Sequence, residues 1–102
     1  MVSRTRRPPH PGETLRDDVM AELDLDSAAV ATQLGVAGTT IENIVAARQP
    51  ISADLALRLG QWLGTSPEFW LRLQEHYDLE LARMEHGDEI RQTVIPRERI
   101  PA

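Results

Sequence analysis

The chain has 102 residues, of which 41% are hydrophobic and 4% aromatic, and its formal net charge is −5. This length suits a single domain. The lack of cysteine excludes disulfides, thiol nucleophiles and cysteine-based zinc sites, and no apolar run approaches the roughly 18 residues that a membrane span needs. The arginines near the N-terminus are not followed by an apolar segment, so we expect no secretory signal and a cytoplasmic protein.

The sequence contains no motif that predicts catalysis or a cofactor. A zinc-protease HExxH motif and a phosphate-binding loop are both missing. The histidines are His10, His76 and His86. The last two lie ten residues apart, a rotation of roughly 280° on a helix, so they do not share a face. We therefore predict a protein that is not an enzyme, without a metal, a cofactor or a small-molecule substrate.

Charge is distributed unevenly along the chain. Residues 1–9 carry Arg4, Arg6 and Arg7 without an acid, and we predict a mobile basic arm that binds phosphates or the minor groove, with a solvated tail as the alternative. Residues 11–26 carry six acids against Arg16 alone. This acid-rich segment favours a second, basic partner.

Hydrophobic spacing and capping residues predict five helices, at about 11–24, 27–34, 38–47, 53–63 and 67–86. The predicted N-caps are Asp26, Ser52 and Ser66, and the predicted closing glycines are Gly35, Gly64 and Gly87. The expected buried stripes are Leu15, Val19 and Leu23 on the first helix, Leu55, Leu59 and Leu63 on the fourth, and Trp70, Leu73, Tyr77, Leu81 and Met84 on the fifth. Residues 88–102 are predicted to be a tail that is disordered or forms a short strand.

The second and third helices match a helix-turn-helix, with the pattern V-A-x-x-L-G-V-x-x-x-x-I-x-x-I at residues 30–44. The small side chain of Ala31 lets the third helix approach, and Gly35 supplies the left-handed backbone of the turn. Ile41 and Ile44 face inward. An ordinary helical hairpin is the alternative.

In a helix-turn-helix the third helix enters the major groove. The predicted DNA-binding residues are Gly38, Thr39, Thr40, Glu42, Asn43 and, just after the helix, Arg48. Asn43 can pair with adenine, and Glu42 can accept from the amino group of cytosine or remain a solvated acid. A polar solvated face without DNA is the alternative for the two threonines and Asn43.

Three further motifs resemble the HigA/VapI-type antitoxins of the XRE family, whose helix-turn-helix is related to that of phage repressors. They are HPGE-x-LR at residues 10–16, ISxDLALRL at residues 51–59 and LGTSPEFWL-x-LQ-x-x-YDL at residues 63–79. The match covers about residues 10–83. The chain departs from the family pattern at Gly38 and Glu42, where Ser or Arg is usual, and at Ala46 and Ala47, where an Asn-Gly pair is usual.

The resemblance implies an all-α, five-helix, phage-repressor-like domain at residues 10–87, in which we expect His10 and Glu13 to cap or brace the first helix. It also implies a homodimer that binds and represses its own operator and neutralises a HigB-like toxin, an mRNA endonuclease of the RelE class. One alternative is a standalone transcription regulator without a toxin. Another is a toxin-neutralising module that has lost most DNA binding, as the net charge and the arginine-free third helix suggest.

Overall fold

The computed structural model describes residues 7–98, which form five helices and no strand. The helix α1, residues 11–23, consists of three continuous segments, Pro11–Thr14, Leu15–Met20 and Ala21–Leu23. The others are α2 (Ser27–Leu34), α3 (Gly38–Val45), α4 (Ala53–Leu63) and α5 (Pro67–Thr93). The predicted all-α, five-helix fold is confirmed.

The predicted helix boundaries are confirmed wherever a short polar side chain or a left-handed glycine sets them. Asp26, Ser52 and Ser66 each accept a hydrogen bond from a backbone amide in the first turn of the next helix. Gly35 and Gly64 close α2 and α4 with φ angles of 72° and 69°, a conformation that glycine adopts without steric cost.

A single hydrophobic core joins all five helices. Its buried residues are Leu15, Met20, Val30, Ala31, Leu34, Ile41, Ile44, Ile51, Leu55, Ala56, Leu59 and Trp70. The predicted stripe of α4 is confirmed, since Leu55 and Leu59 are buried and Leu63 packs against the core. Burial of this apolar surface is the main stabilising term of the fold.

The predicted buried stripe of α1 is wrong in its second half. Leu15 is buried as expected and Val19 is half-buried, but Leu23 is 49% exposed and Met20 is buried instead. The reason is a π-helical turn at Leu15–Met20, in which the Ala21 amide donates to the Arg16 carbonyl five residues earlier. This wider turn brings residues five apart onto one face, so the ordinary α-helical period fails.

The predicted end of α5 at His86, with Gly87 closing it, is also wrong. The left-handed glycines within residues 7–98 are Gly35 and Gly64 alone, and α5 continues for two further turns to Thr93. Residues 88–93 of the predicted tail are therefore helical, and residues 94–98 form neither helix nor strand. The rest of the tail, residues 99–102, and most of the N-terminal arm, residues 1–6, lie outside the described residues.

The two halves of α5 differ in burial. Trp70 and Gln74 are buried, and Leu73, Tyr77 and Leu81 are half-buried. Met84, the last member of the predicted stripe, is 42% exposed, because the core ends before this part of the helix.

Candidate nucleic-acid interface

The helix-turn-helix consists of α2, residues 35–37 and α3. The structure places Ala31, Ile41 and Ile44 in the core and gives Gly35 the left-handed conformation. The Val36 amide donates to the Ala31 carbonyl at 3.0 Å, which reverses the chain directly after α2. The residues predicted to shape the interior of the motif therefore lie together where the two helices meet.

The amino end of α1 sets the position of α3 through a contact between backbones. A Cβ atom built on Gly12 would lie 1.8 Å from the Ile44 carbonyl oxygen. Only glycine therefore allows this approach. The contact places the first turn of α1 directly against the last turns of α3.

His10 and Glu13 hold the first turn of α1, as predicted. The His10 Nδ1 accepts a hydrogen bond from the Gly12 amide at 2.9 Å, and Glu13 Oε2 accepts one from the His10 amide at 3.0 Å. This reciprocal arrangement is a capping box in which a histidine replaces the usual serine or threonine.

The His10 ring is enclosed, which affects its protonation. It is 3% exposed and packs edge-on against Tyr77, with ring centroids 4.8 Å apart. Burial lowers the pKa of His10, while the charges of Glu13 and Asp78 act in the opposite direction. Since Nδ1 accepts the bond from Gly12, the cap requires the neutral ring.

The opposite end of the helix-turn-helix is held by α4. Arg58 Nη1 donates to the carbonyl oxygens of Leu34 and Gly35, at 2.9 and 3.3 Å, and Arg58 Nε donates to Asp54 at 2.6 Å. These bonds satisfy carbonyl groups at the carboxyl end of α2, which have no partner within the helix. A second link joins Trp62 Nε1 to Gln33 Oε1 at 2.8 Å.

The outward face of α3 is polar. Thr39 and Glu42 are exposed, and Gly38, Thr40 and Asn43 are half-buried. A Cβ atom at Gly38 would have no atom within 4 Å, so the first turn of α3 opens onto free space. All five predicted residues of this helix thus lie on its accessible side or at its edge.

Arg48 is brought back beside Asn43 by a bend after α3. The helix ends at Val45, two residues before the predicted end, and Ala47 has a φ of 60°. The Arg48 amide donates to the Asn43 carbonyl at 2.8 Å, and Arg48 Nη2 donates to Asn43 Oδ1 at 3.3 Å. The bend therefore places a positive charge beside the outward face of α3, a helix in which Glu42 is the only charged residue.

The comparisons with known proteins identify the family. No family model matches the chain. Antitoxin HigA-1 of Vibrio cholerae is 33% identical over 89 residues, which are 87% of this chain and 84% of the relative. The chain belongs to the family of HigA-type antitoxins.

Solved structures of this HigA-type family agree with the fold throughout. Pseudomonas aeruginosa antitoxin HigA, determined with the higBA promoter, gives a TM-score of 0.87 at 42% identity, covering 90% of this chain and all of that chain. Antitoxin GraA in complex with its operator gives a TM-score of 0.84 at 46% identity and covers both chains fully. Within residues 7–98, none of the helices has the length and apolar character required to cross a bilayer.

Three positioning contacts of this HigA-type chain were missed from the sequence. The HPGE motif contains Gly12 and the LALRL motif contains Arg58, so both residues carried a signal. Neither motif indicates which carbonyl its residue meets, because Ile44 and Leu34 lie 32 and 24 residues away along the chain. The third missed contact, from the Ile51 amide to the buried Gln74 Oε1 at 2.8 Å, fixes the loop before α4.

Proposed function

We propose that this protein is the antitoxin of a type II, HigBA-like toxin–antitoxin pair. It binds its own operator as a homodimer and represses its operon, and it binds and neutralises a RelE-like mRNA endonuclease. It acts in the cytoplasm and is not itself an enzyme. The observation that carries the proposal is the helix α3, which presents a polar face. Its last turn is held by the backbone contact with Gly12, and the turn before it is held by the bonds from Arg58 to the carbonyl oxygens of Leu34 and Gly35.

The proposed DNA contact places α3 in the major groove. Thr39 and Thr40 contact phosphates or a thymine methyl, and Asn43 pairs with adenine. Gly38 lets the first turn come close to the DNA backbone. Arg48, which bonds to the Oδ1 of Asn43, orients that side chain and contributes positive charge near the phosphates.

The charge distribution supports two different partners. The helix α3 carries no arginine, so affinity for DNA relies on Arg48, on the basic arm and on the doubling of contacts in a dimer. The acidic side chains of the segment from 13 to 26 are mostly exposed, with only Glu13 half-buried. This negative surface suits a basic protein, such as an enzyme that binds RNA.

A gel-shift assay with the DNA upstream of the gene tests repression. The chain is expected to shift this DNA at low salt, with affinity falling steeply as salt is raised, because binding releases counterions. A random duplex of equal length is the control. If the upstream DNA does not shift at low salt, the proposal of repression is wrong.

Co-expression with the neighbouring gene tests neutralisation. We expect a small basic protein to co-purify with this chain, and its mRNA cleavage on ribosomes to stop when the chain is added. DNA binding without such a partner would instead support a standalone regulator. A partner without DNA binding would support a module specialised for the toxin.

A further inference from the structure

The loop that follows α3, residues 46–52, is tied to α5 by a buried hydrogen bond. The Ile51 amide donates to Gln74 Oε1 at 2.8 Å. Ile51 is 3% exposed, and Gln74 is 7% exposed although it is polar. A buried amide without a partner is costly, so this bond fixes the point at which the loop meets the core.

Asp78 decides which end of the Gln74 amide faces the loop. Gln74 Nε2 donates to Asp78 Oδ1 at 2.9 Å. A carboxylate only accepts hydrogen bonds, so it holds the amide NH2 group and leaves the amide oxygen for Ile51. If the Gln74 amide were reversed, its NH2 group would face the Ile51 amide, donor against donor. The charged acceptor also makes this bond stronger than one between neutral groups.

The fixed point lies close to Arg48 along the chain. Two residues, Gln49 and Pro50, separate Arg48 from Ile51. Proline locks its own φ at about −65° and restricts the residue before it to extended conformations, so this connection has little freedom. On its other side, the Arg48 amide donates to the Asn43 carbonyl. A displacement of Ile51 would therefore move Arg48 and disturb its side-chain bond to Asn43 Oδ1.

The same turn of α5 also holds the other neighbour of α3. Tyr77 packs edge-on against His10, and His10 caps the first turn of α1, where Gly12 meets the Ile44 carbonyl. Residues 74–78 thus contact both the segment packed against the last turns of α3 and the loop that leaves it. They are the Q-x-x-Y-D part of the third sequence motif, and their contacts give this part of the motif a role beside the DNA-binding helix.

We propose that Asp78 is a positioning residue for DNA binding, which holds the Gln74 amide against the Ile51 amide so that the loop keeps Arg48 beside Asn43. It acts through the loop and not by contact with DNA. The inference rests on the proposed function, since Arg48 and Asn43 are the residues proposed to meet the operator. Its direction is opposite to that of simple electrostatics. Removal of an acidic charge by itself strengthens binding to DNA, whereas loss of Asp78 is expected to weaken it.

Hydrogen exchange of the Ile51 amide, followed by NMR, tests the contact. Asp78→Ala should speed this exchange on the order of tenfold, while amides in the core of α4, such as that of Leu59, keep their rates. Asp78→Asn retains an acceptor oxygen and should keep the Ile51 amide protected. Gln74→Met keeps the side-chain length without the acceptor and should lose the protection fully. An unchanged Ile51 rate in Asp78→Ala, or an equal rise at all core amides, would overturn the proposal.

Operator affinity tests the consequence. In gel shifts, Asp78→Ala should weaken binding to the upstream DNA by about threefold to tenfold. Glu75→Ala is the matched control, because Glu75 is an exposed acid on the same turn of α5. It removes the same charge and should leave the affinity unchanged or raise it, and Asp78→Asn should do the same. If Asp78→Ala binds the operator as well as the wild type or better, the proposal is wrong.

A double-mutant cycle identifies the route of the effect. If Asp78 acts through the loop, Asp78→Ala should weaken binding little further in a chain that already carries Arg48→Ala, so the two losses are not additive. A general loss of stability or a change in oligomeric state would instead add to the loss from Arg48→Ala. Additive losses would therefore reject the positioning role.

The two measurements separate this inference from the proposed function. If the wild-type chain does not bind the upstream DNA but the exchange of the Ile51 amide depends on Asp78, repression is rejected and the positioning of the loop stands. If the wild-type chain binds the upstream DNA but Asp78→Ala and Arg48→Ala are additive, the proposed function stands and only this inference is rejected.

Discussion

The inner and outer sides of α3 are built in opposite ways. On the inside, Ile41 and Ile44 are fully buried and the Ile44 carbonyl touches the backbone of Gly12, with no space for even one methyl group. On the outside, a Cβ atom at Gly38 would meet nothing, and Arg48 makes a bond of 3.3 Å to Asn43. The position of the helix is thus strongly determined, while its surface chemistry is free to vary.

Within the eight residues of α3, the inner side chains are therefore expected to determine the stability of the chain and the outer ones its specificity for DNA. Changes on the inner side should unfold the chain or displace α3, whatever DNA is offered. Changes on the outer side should alter DNA binding and leave the free energy of unfolding nearly unchanged. The following predictions test this separation, beginning with the largest expected effect.

Gly12→Ala should be the most damaging substitution. The new methyl group would overlap the Ile44 carbonyl, and neither backbone can move without shifting α1 against α3. We expect a loss of about 3 kcal/mol in the free energy of unfolding, measured by urea denaturation.

Gly38→Ala is the matched control on the outer side. Nothing lies within 4 Å of the added methyl group, so the change in stability should stay within about 0.5 kcal/mol. Equal losses for the two variants would contradict the difference between the two sides of α3.

Asn43→Ala should weaken operator binding by about 1–3 kcal/mol and relax the preference at one base pair. The physical reason is the loss of the paired donor and acceptor that the amide offers to adenine. Gel shifts on the operator and on random DNA measure the effect, and only operator binding should change.

Arg48→Ala provides the comparison for that experiment. It removes a charge and should weaken binding to both DNAs alike, with a smaller dependence on salt. If Asn43→Ala also weakens both DNAs equally, Asn43 does not read a base.

Lowering the pH should reduce the free energy of unfolding through His10, whose cap holds the first turn of α1 against the inner side of α3. Its pKa is lowered in the folded chain, chiefly by burial, so the unfolded chain binds more protons as the pH falls below about 6.5. The stabilisation from the neutral His10 ring is therefore complete above about pH 6.5. It is lost as the pH falls from there to the pKa of His10 in the folded chain, by about 1.4 kcal/mol for each unit between the two pKa values.

His10→Asn tests the cause of this pH dependence. Asparagine is a good N-cap that does not titrate, so urea midpoints of the variant should differ less between pH 7.5 and pH 5 than those of the wild type. If variant and wild type lose stability equally on acidification, another group is responsible.

Ala47→Gly should have the smallest effect and the opposite sign. Ala47 has a φ of 60°, which strains a residue with a Cβ atom. Glycine should stabilise the chain by about 0.5–1 kcal/mol in thermal or urea unfolding, without moving Arg48. Destabilisation would mean that the bend after α3 is not strained.

The sequence predicted most of the fold because its helix boundaries are set locally. Asp26, Ser52 and Gly64 contact residues within one helical turn, so their residue types alone were sufficient to predict these boundaries. The prediction failed at Gly87, where the helix continues through the glycine; beyond it Arg91 pairs with Asp88 and the Thr93 hydroxyl donates to the Glu89 carbonyl. Glycine permits a left-handed end but does not require one.

The candidate site was only partly predictable. The outward positions of α3 follow from the helical period once Ile41 and Ile44 face inward. The approach of Arg48 to Asn43 depends on the φ of Ala47, which nothing in an alanine indicates. The family's usual Asn-Gly pair at residues 46–47 was the one available signal for that bend.

The π-helical turn of α1 holds one more residue than an α-helical turn would need. A homologue that lacks one residue between positions 15 and 20 could replace this turn with a regular one and still bury the side chains before and after it. Sequence alignments of the family should therefore permit a single gap here. Without this gap, an alignment would pair His10 and Gly12 with the wrong residues of such a homologue.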